Sequence, residues 1–178
     1  LKEMLYIGTD LGFQVTTGVS DPIATVEGAP GPRNHRTFAK AENWLCYLSE
    51  DNRIMGLNGV NVIDLGRRLN SKDMDGYLDN CLNRSTGNYL NHFGDYNKKK
   101  KQAWFFGEDT SGRINNVAFI IDFSDGEPIL GEAEQSFEQR VRCLYWTCGS
   151  NTWIIHAWSY LEDTYAALYT TGDTSKKI

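Results

Sequence analysis

The sequence predicts an α+β protein in which two helices precede a group of antiparallel strands. Apolar residues recur at helical spacing in residues 37–48, and they do so again in residues 71–82. Short β-rich segments fill the last third of the chain. Helices followed by a run of strands are typical of α+β folds.

Length and composition predict one globular domain, with room for a short appendage. The chain has 178 residues, of which 40% are hydrophobic. No apolar run approaches the ~20 residues that span a bilayer, so we predict no membrane insertion. The net charge is −5 and only one run of basic residues is present, so we predict no nucleic-acid partner.

The segment Asp21–Pro32 divides the chain. It holds three of the four prolines and two glycines, a composition typical of loops. We therefore predict an N-terminal stem or linker in residues 1–32 and the main domain in residues 33–178. Residue 1 is Leu rather than Met, so we expect a signal, stalk or larger region to precede it.

The first predicted helix begins at Thr37, a residue type favoured as an N-cap. Its apolar positions recur at helical spacing, and Trp44 lies next to them. This pattern places Cys46 on the helix. The apolar positions are Phe38, Ala41, Leu45 and Leu48.

A short β-like segment, Leu57–Leu65, separates this helix from the second one. Ser71 is the predicted N-cap of the second helix, and Asp73 adds a negative charge that suits the first turn. Its apolar stripe consists of Met74, Tyr77, Leu78, Cys81 and Leu82. The polar segment Asn83–Lys101 is predicted to be a long irregular loop.

The strands follow. Val117–Phe123, the turn Ser124-Asp125-Gly126 and a returning strand form a hairpin-like unit. The predicted strands are Ala103–Phe106, Val117–Phe123, Arg140–Trp146, Thr152–Trp158 and Tyr165–Thr170.

The cysteines predict disulfides better than they predict a metal site. No CxxC pair is present, and the three histidines are far apart, whereas zinc sites have closely spaced ligand pairs. Two disulfides in an oxidising compartment are therefore favoured over four buried thiols in a cytosolic protein. Three connectivities are open, of which we favour Cys46–Cys143 with Cys81–Cys148.

Three segments in order resemble the C-terminal domain of bacterial collagen-like adhesins and their secreted paralogous-domain relatives. They are Thr37–Ala41 leading to Cys46, Gly66–Asp73, and Asp122–Gly126 followed by Val141-Arg142-Cys143. In the second segment Arg67 stands where the family has Trp, and Asn70 stands where it has Pro. Together the segments span roughly residues 37 to 144.

This resemblance implies a C-type-lectin-like fold, with two helices packed on a curled antiparallel sheet and stapled by disulfides. It also implies a secreted or cell-surface location, attachment to a glycan or protein on a target surface, and a homotrimeric tip on a stalk as one arrangement. Fold alone does not determine function, so the residues are weighed separately.

Three groups of residues are candidates for ligand binding, and each has a simpler explanation. Asp125 and Glu127, together with Asp122, offer the oxygen ligands that calcium prefers, but a Ser-Asp-Gly turn accounts for the same pattern and we expect no cofactor. The run Lys98, Lys99, Lys100 and Lys101 would attract acidic polymers, or it is a solvated loop. Trp104 belongs to a set of aromatic residues that would stack on sugars, although aromatic residues in strands more often lie in the core.

The predicted function is that of an extracellular adhesin or receptor-binding tip without catalysis. The loops Asn83–Lys101 and Ser124–Gln135 would carry the binding. The alternative is a structural pilin-like or fibre subunit, and a secreted enzyme is a third and weaker hypothesis.

Overall fold

The computed structural model describes residues 4–18, 20–67, 92–107, 117–129, 141–149, 152–158 and 165–170. Thirteen strands lie within these residues, and they form three antiparallel sheets. This part of the chain contains no α-helix. The predicted α+β class, with its C-type-lectin-like arrangement of two helices on a sheet, is therefore wrong.

The first sheet is formed near the N-terminus by three short strands in the order β1-β2-β3. Its inward-facing residues Phe13, Val15 and Val26 are buried and pack against the second sheet. The domain boundary near residue 32 stays a prediction. The strands are β1 (Leu5–Thr9), β2 (Gly12–Thr16) and β3 (Ala24–Val26).

The second sheet is the middle layer, with the order β4-β5-β6-β7. Alternate residues of β5 point to opposite faces, and both faces are covered. Cys46 belongs to the cluster shared with the third sheet, whereas Tyr47 belongs to the cluster shared with the first. The strands are β4 (Phe38–Ala41), β5 (Trp44–Leu48), β6 (Ile54–Asn58) and β7 (Asn61–Asp64).

The first predicted helix is therefore a hairpin of β4 and β5. Ala41 pairs with Trp44, so Glu42 and Asn43 form the turn. Thr37, the predicted N-cap, instead accepts a hydrogen bond at its carbonyl from the Leu48 amide over 3.1 Å. Apolar residues lie on both faces of these two strands, because each strand contributes to a core on either side.

The third sheet has six strands in the order β13-β12-β11-β10-β9-β8, so each strand pairs with its neighbour in sequence. The strands predicted at Thr152–Trp158 and Tyr165–Thr170 are confirmed, and the other three predicted strands are confirmed with shifted ends. The strands are β8 (Phe93–Asn97), β9 (Gln102–Gly107), β10 (Val117–Asp122), β11 (Arg142–Gly149), β12 (Thr152–Trp158) and β13 (Tyr165–Thr170).

Two apolar clusters hold the three layers together. The larger one lies between the second and third sheets and contains Trp44, Ile54, Phe105 and Phe119. The smaller one lies between the first and second sheets and is centred on Phe13 and on residues of β5 and β6. Burying one such side chain stabilises the fold by about 1.5–3 kcal/mol. Both interfaces between layers therefore stabilise the folded protein.

The predicted disulfide between Cys46 and Cys143 is wrong. Cys46 is a free thiol and is fully buried within the larger cluster. Burial, together with the nearby charge of Glu127, raises the pKa of this thiol far above its usual value. Cys81 lies outside the described residues, and with it the predicted Cys81–Cys148 pairing.

The second predicted helix, at residues 71–82, also lies outside the described residues, as does the first part of the predicted loop Asn83–Lys101. The second part of that loop is not irregular, because it contains β8 and a turn. Within the residues described, no helix is long and apolar enough to cross a membrane.

Candidate functional site

The hairpin of β8 and β9 carries the best candidate for a binding surface. Asn97 pairs with Gln102, and Lys98–Lys101 form the turn between them. Lys101 takes the left-handed backbone conformation, with φ 54°, and the Asn97 side chain accepts a hydrogen bond from the Lys100 amide over 3.1 Å. The four lysines are exposed, so their charge lies in solvent at the end of the sheet.

The inner face of this hairpin belongs to the core. Phe105 is fully buried and packs in the larger cluster. The Gly94 amide donates a hydrogen bond to the Arg36 carbonyl over 2.7 Å. A β-carbon at Gly94 would lie 3.0 Å from both the Phe105 ring and the Phe38 carbonyl, so the close approach of β8 to β4 requires glycine.

The outer face carries three aromatic rings that contact one another. The Phe93 and Phe106 rings are 4.7 Å apart and 18° from parallel, and the Trp104 and Phe106 rings are 5.8 Å apart and 22° from parallel. All three side chains are only partly buried. We call these three residues the aromatic stack. Stacked, half-exposed rings form an apolar surface that is already ordered.

A chain of hydrogen bonds holds the Trp104 ring in place. Its indole Nε1 donates to Gln102 Oε1 over 3.3 Å, and Gln102 Nε2 donates to Asp122 Oδ2 over 2.8 Å. The other Asp122 oxygen accepts from the Ser124 amide over 2.8 Å. The aromatic stack therefore borders a row of amide and carboxylate groups that are fixed by the sheet.

Two further polar residues of β8 lie beside the aromatic stack. Asp95 pairs with Trp104 in the sheet, and Asn97 pairs with Gln102, so both lie on the outer face. Both are exposed. Asp95 Oδ1 accepts a hydrogen bond from the Tyr96 amide over 2.7 Å.

Among the side chains of this sheet whose burial is described, the exposed part of the outer face lies on β8 and β9. On the adjacent β10, Ala118 and Ile120 pair with Phe106 and Trp104 and therefore share this face. Both are almost completely buried. The binding surface is thus a strip along one edge of the sheet, two strands wide.

The structure brings together some of the predicted site residues. The Phe123 amide donates to the Lys101 carbonyl over 2.9 Å, so the lysine turn and the turn at Asp125 lie at the same end of the third sheet. Trp104 lies on the outer face near that end. The lysines, Trp104 and Asp125 therefore occupy one region, although their role in binding stays a prediction.

Glu127 is directed elsewhere. One of its carboxylate oxygens accepts a hydrogen bond from the Asn43 side chain over 3.1 Å, which ties it to the turn between β4 and β5. Burial, followed by the charges of Glu42 and Glu127, raises the pKa of Tyr96 to about 12. The charge of Glu127 therefore influences Tyr96 on the inner face of the hairpin, away from the aromatic stack.

The carboxylates considered for calcium do not converge. Asp122 is engaged by Gln102 and Ser124, and Glu127 is engaged by Asn43. Among the described residues no group of three or more His, Cys, Asp or Glu side chains could hold a metal ion.

Phe93, Asp95, Gln102 and Phe106 were not singled out as site residues, although Phe93 and Asp95 lie within the predicted binding loop Asn83–Lys101. A partial signal for them exists in the aromatic residues of the two short segments on either side of the lysine run, Phe93–Asn97 and Gln102–Phe106. Two short β-capable segments separated by four polar residues are compatible with a hairpin, and the two-residue period of a strand would have placed Trp104 and Phe106 on one face.

No protein-family model matches the chain, and no curated protein matches it significantly. The chemistry of the site therefore has to be argued from its residues. Apolar ring surfaces beside fixed carboxylate and amide groups can bind a ligand that has both C–H and hydroxyl surfaces, and nearby lysines can attract negative charge.

Proposed function

We propose that this protein is an attachment domain that binds glycans on the outer face of the β8–β9 hairpin. The observation that carries the proposal is the aromatic stack of Phe93, Trp104 and Phe106, which is half-exposed and bordered by polar side chains. Neither a fibre subunit nor an enzyme is favoured by a specific observation.

The rings supply the apolar part of the binding energy. One side of a sugar ring presents a patch of C–H groups, and an aromatic surface that is already ordered binds such a patch without a further cost in side-chain entropy. The hydrogen bond from Trp104 to Gln102 fixes the indole before the ligand arrives.

The polar residues supply specificity. Carboxylate oxygens accept hydrogen bonds, and side-chain amides both donate and accept, as sugar hydroxyl groups require. Asp95 and Asn97 lie exposed on the same face as the rings. A hydroxyl group above the Trp104 end of the stack would therefore meet one carboxylate and one amide.

The lysine turn selects among glycans. Its four ammonium groups are exposed at the end of the strip, next to Gln102. An acidic or sulfated glycan that extends beyond the stack would meet this charge, and the contribution should weaken as salt screens it. We therefore propose a preference for glycans with an anionic substituent one or more units away from the stacked sugar.

A glycan array probed with the purified protein, followed by calorimetry on the best ligands, tests the proposal. Trp104→Ala should lower the affinity about tenfold or more, which corresponds to ~1.4 kcal/mol. The matched control is Ile129→Ala, which removes an exposed side chain outside the third sheet. The double variant Lys99→Gln/Lys100→Gln should weaken only the acidic ligands.

Two results would count against the proposal. One is an array without any ligand above background. The other is binding that Trp104→Ala and Ile129→Ala leave equally strong, since the aromatic stack would then have no part in it. A thermal melt of each variant separates lost binding from lost folding.

A further inference from the structure

A second site lies on the opposite side of the molecule, between the first and second sheets. A cavity of about 600 Å³ opens there. Tyr6 and Gly8 of β1 line one wall, and Phe38 and Leu45 of the second sheet line the other. This site shares no residue with the aromatic stack.

Gly8 lies in a closely packed part of the cavity wall. A β-carbon at this position would lie 3.1 Å from both the Phe13 ring and Pro32. Phe13 itself is buried and meets the Phe38 ring edge-on at 6.1 Å. The floor of the cavity is therefore aromatic and tightly packed, and the space above it is large enough for more than one apolar side chain.

The strand beside the cavity is an edge strand. Within the described part of the chain β1 pairs with β2 alone, so one side of its backbone has no neighbouring strand. Leu5 is 61% exposed and Ile7 is 39% exposed. An edge of this kind is a template for a further strand.

The sequence of β1 offers no protection against such pairing. Leu5–Thr9 contains neither a charged residue nor a proline, the residue types that usually block sheet edges. The edge strands β4, β7 and β8 contain Lys40, Asp64 and Asp95 respectively, whereas the edge strands β3 and β13 resemble β1 in having neither a charged residue nor a proline.

The mouth of the cavity is acidic. Asp10 and Glu50 line it and are exposed. Arg33 also lines the cavity but is 95% buried, since only 5% of it is exposed, and its guanidinium Nη1 donates to Asn52. The charges that an approaching chain meets first are therefore the two carboxylates.

We propose that an extended segment of a partner protein adds to β1 as a fourth strand of the first sheet. Bulky apolar side chains of that segment enter the cavity beside Gly8, and a lysine or arginine near them pairs with Asp10 and Glu50. Main-chain hydrogen bonds supply affinity in this mode of recognition, and the pocket for an alternate side chain supplies specificity.

The test uses the intact chain and a library of random seven-residue peptides displayed on phage. We expect enriched peptides to combine a bulky apolar residue with a lysine or arginine within two positions, and to contain no proline at their centre. A synthetic copy of the most enriched peptide, labelled with a fluorophore, then gives the affinity from fluorescence anisotropy.

Two variants and two controls identify the site. Ile7→Lys charges the edge and Glu50→Lys reverses the charge at the mouth, and each should weaken the peptide about tenfold or more. Ile129→Lys and Glu27→Lys make the same chemical changes at exposed positions away from the cavity and should have no effect. Glu50 is exposed, so its variant tests the site even if Ile7→Lys lowers stability.

Three results would overturn the proposal. The first is a library that yields no enriched peptide, and the second is an enriched peptide that binds Ile7→Lys and Glu50→Lys as well as it binds the original chain. The third is a dimer, seen by light scattering, that Ile7→Lys dissociates, since the occupant of the edge would then be a second copy of this chain.

Discussion

The two faces of the β8–β9 hairpin have the same kinds of residues and opposite roles. Phe105 points inward and is fully buried, whereas its neighbour Phe106 points outward and stacks on Phe93 and Trp104 while remaining half-exposed. The inner face is covered by the second sheet. Residue type alone therefore does not distinguish a core position from a surface position on these strands. The distinction depends on whether another layer of the protein covers that face.

The difference predicts that inner and outer substitutions separate stability from binding. Inner residues should lower the free energy of unfolding when they are truncated and leave ligand affinity intact in the molecules that remain folded. Truncating outer residues should lower ligand affinity and leave the free energy of unfolding nearly unchanged. Four predictions test this contrast, in order of the expected effect on stability.

The largest effect is expected for Phe105→Ala. Removing this ring should leave a cavity in the larger cluster and lower the free energy of unfolding by about 3–5 kcal/mol. Urea denaturation measures the change. The matched variant Phe106→Ala, one residue along, should cost only about 1 kcal/mol, and equal losses for the two would contradict the assignment of the faces.

A smaller effect is expected for Cys46→Ser. The hydroxyl group would be buried among apolar side chains, which should cost about 1–3 kcal/mol in urea denaturation. Because burial raises the pKa of the Cys46 thiol, iodoacetamide at pH 8 should modify this residue only after the protein is unfolded. Modification of Cys46 in the native protein at the rate of a free peptide would show that it is not in the core.

Trp104→Ala should act mainly on binding. We expect a loss of stability of about 1.5 kcal/mol or less, since the side chain is half-exposed and loses one ring contact. The affinity for the best glycan should fall about tenfold or more. Gln102→Leu sharpens the test, because it removes the group that fixes the indole and should weaken binding while leaving the ring present.

A gain in stability, not a loss, is expected for Tyr96→Phe at neutral pH. The Tyr96 hydroxyl is buried and has no hydrogen-bond partner in the described residues, so its removal at pH 7 should raise the free energy of unfolding by about 1 kcal/mol.

The stabilities of Tyr96→Phe and the original protein should respond differently to alkaline pH. The folded-state pKa of Tyr96 is about 12 and lies above the unfolded value of about 10. The proton is therefore held more tightly in the folded state, and stability that is present below pH 10 should be lost as the pH rises from 10 to 12. Thermal melts across this range should show a shallower decline for Tyr96→Phe. Identical declines for the two proteins would show that Tyr96 does not titrate in this way.

The failure of the first helix prediction has a specific cause. Phe38 and Leu45 turn out to face the first sheet, whereas Ala41 and Leu48 face the third, so their spacing of three and four residues combines two different faces. A short apolar run does not distinguish a strand that is buried on both sides from a helix. Only the presence of a sheet on each side of β5 decides between them.

The strands of the last third were predictable because their residue types favour strands and turns separate them. Val117–Asp122 and Thr152–Trp158 contain β-branched and aromatic residues, which fit a pleated surface. The lysine run was predicted as part of a loop, and it is the turn of a hairpin. Its relation to Trp104 was not predictable, because that relation depends on the register between Asn97 and Gln102.

The cysteine prediction failed for a related reason. An even number of cysteines suggests disulfides, but a count carries no information on where each thiol lies. Cys46 is on β5, an interior strand of the second sheet that is covered on both faces, and there it acts as a small apolar residue. Its environment was set by packing between sheets and could not be deduced from spacing along the chain.

The sequence by itself determined the globular character of the chain, its acidic charge, and the tendency of its later segments to form strands, because these depend on composition and on interactions between residues close along the chain. The tertiary structure alone decided which residues of each strand are covered, that Cys46 is free, and that an aromatic stack and an open sheet edge lie in different layers. Those outcomes depend on contacts between segments far apart in sequence, and no local pattern records them.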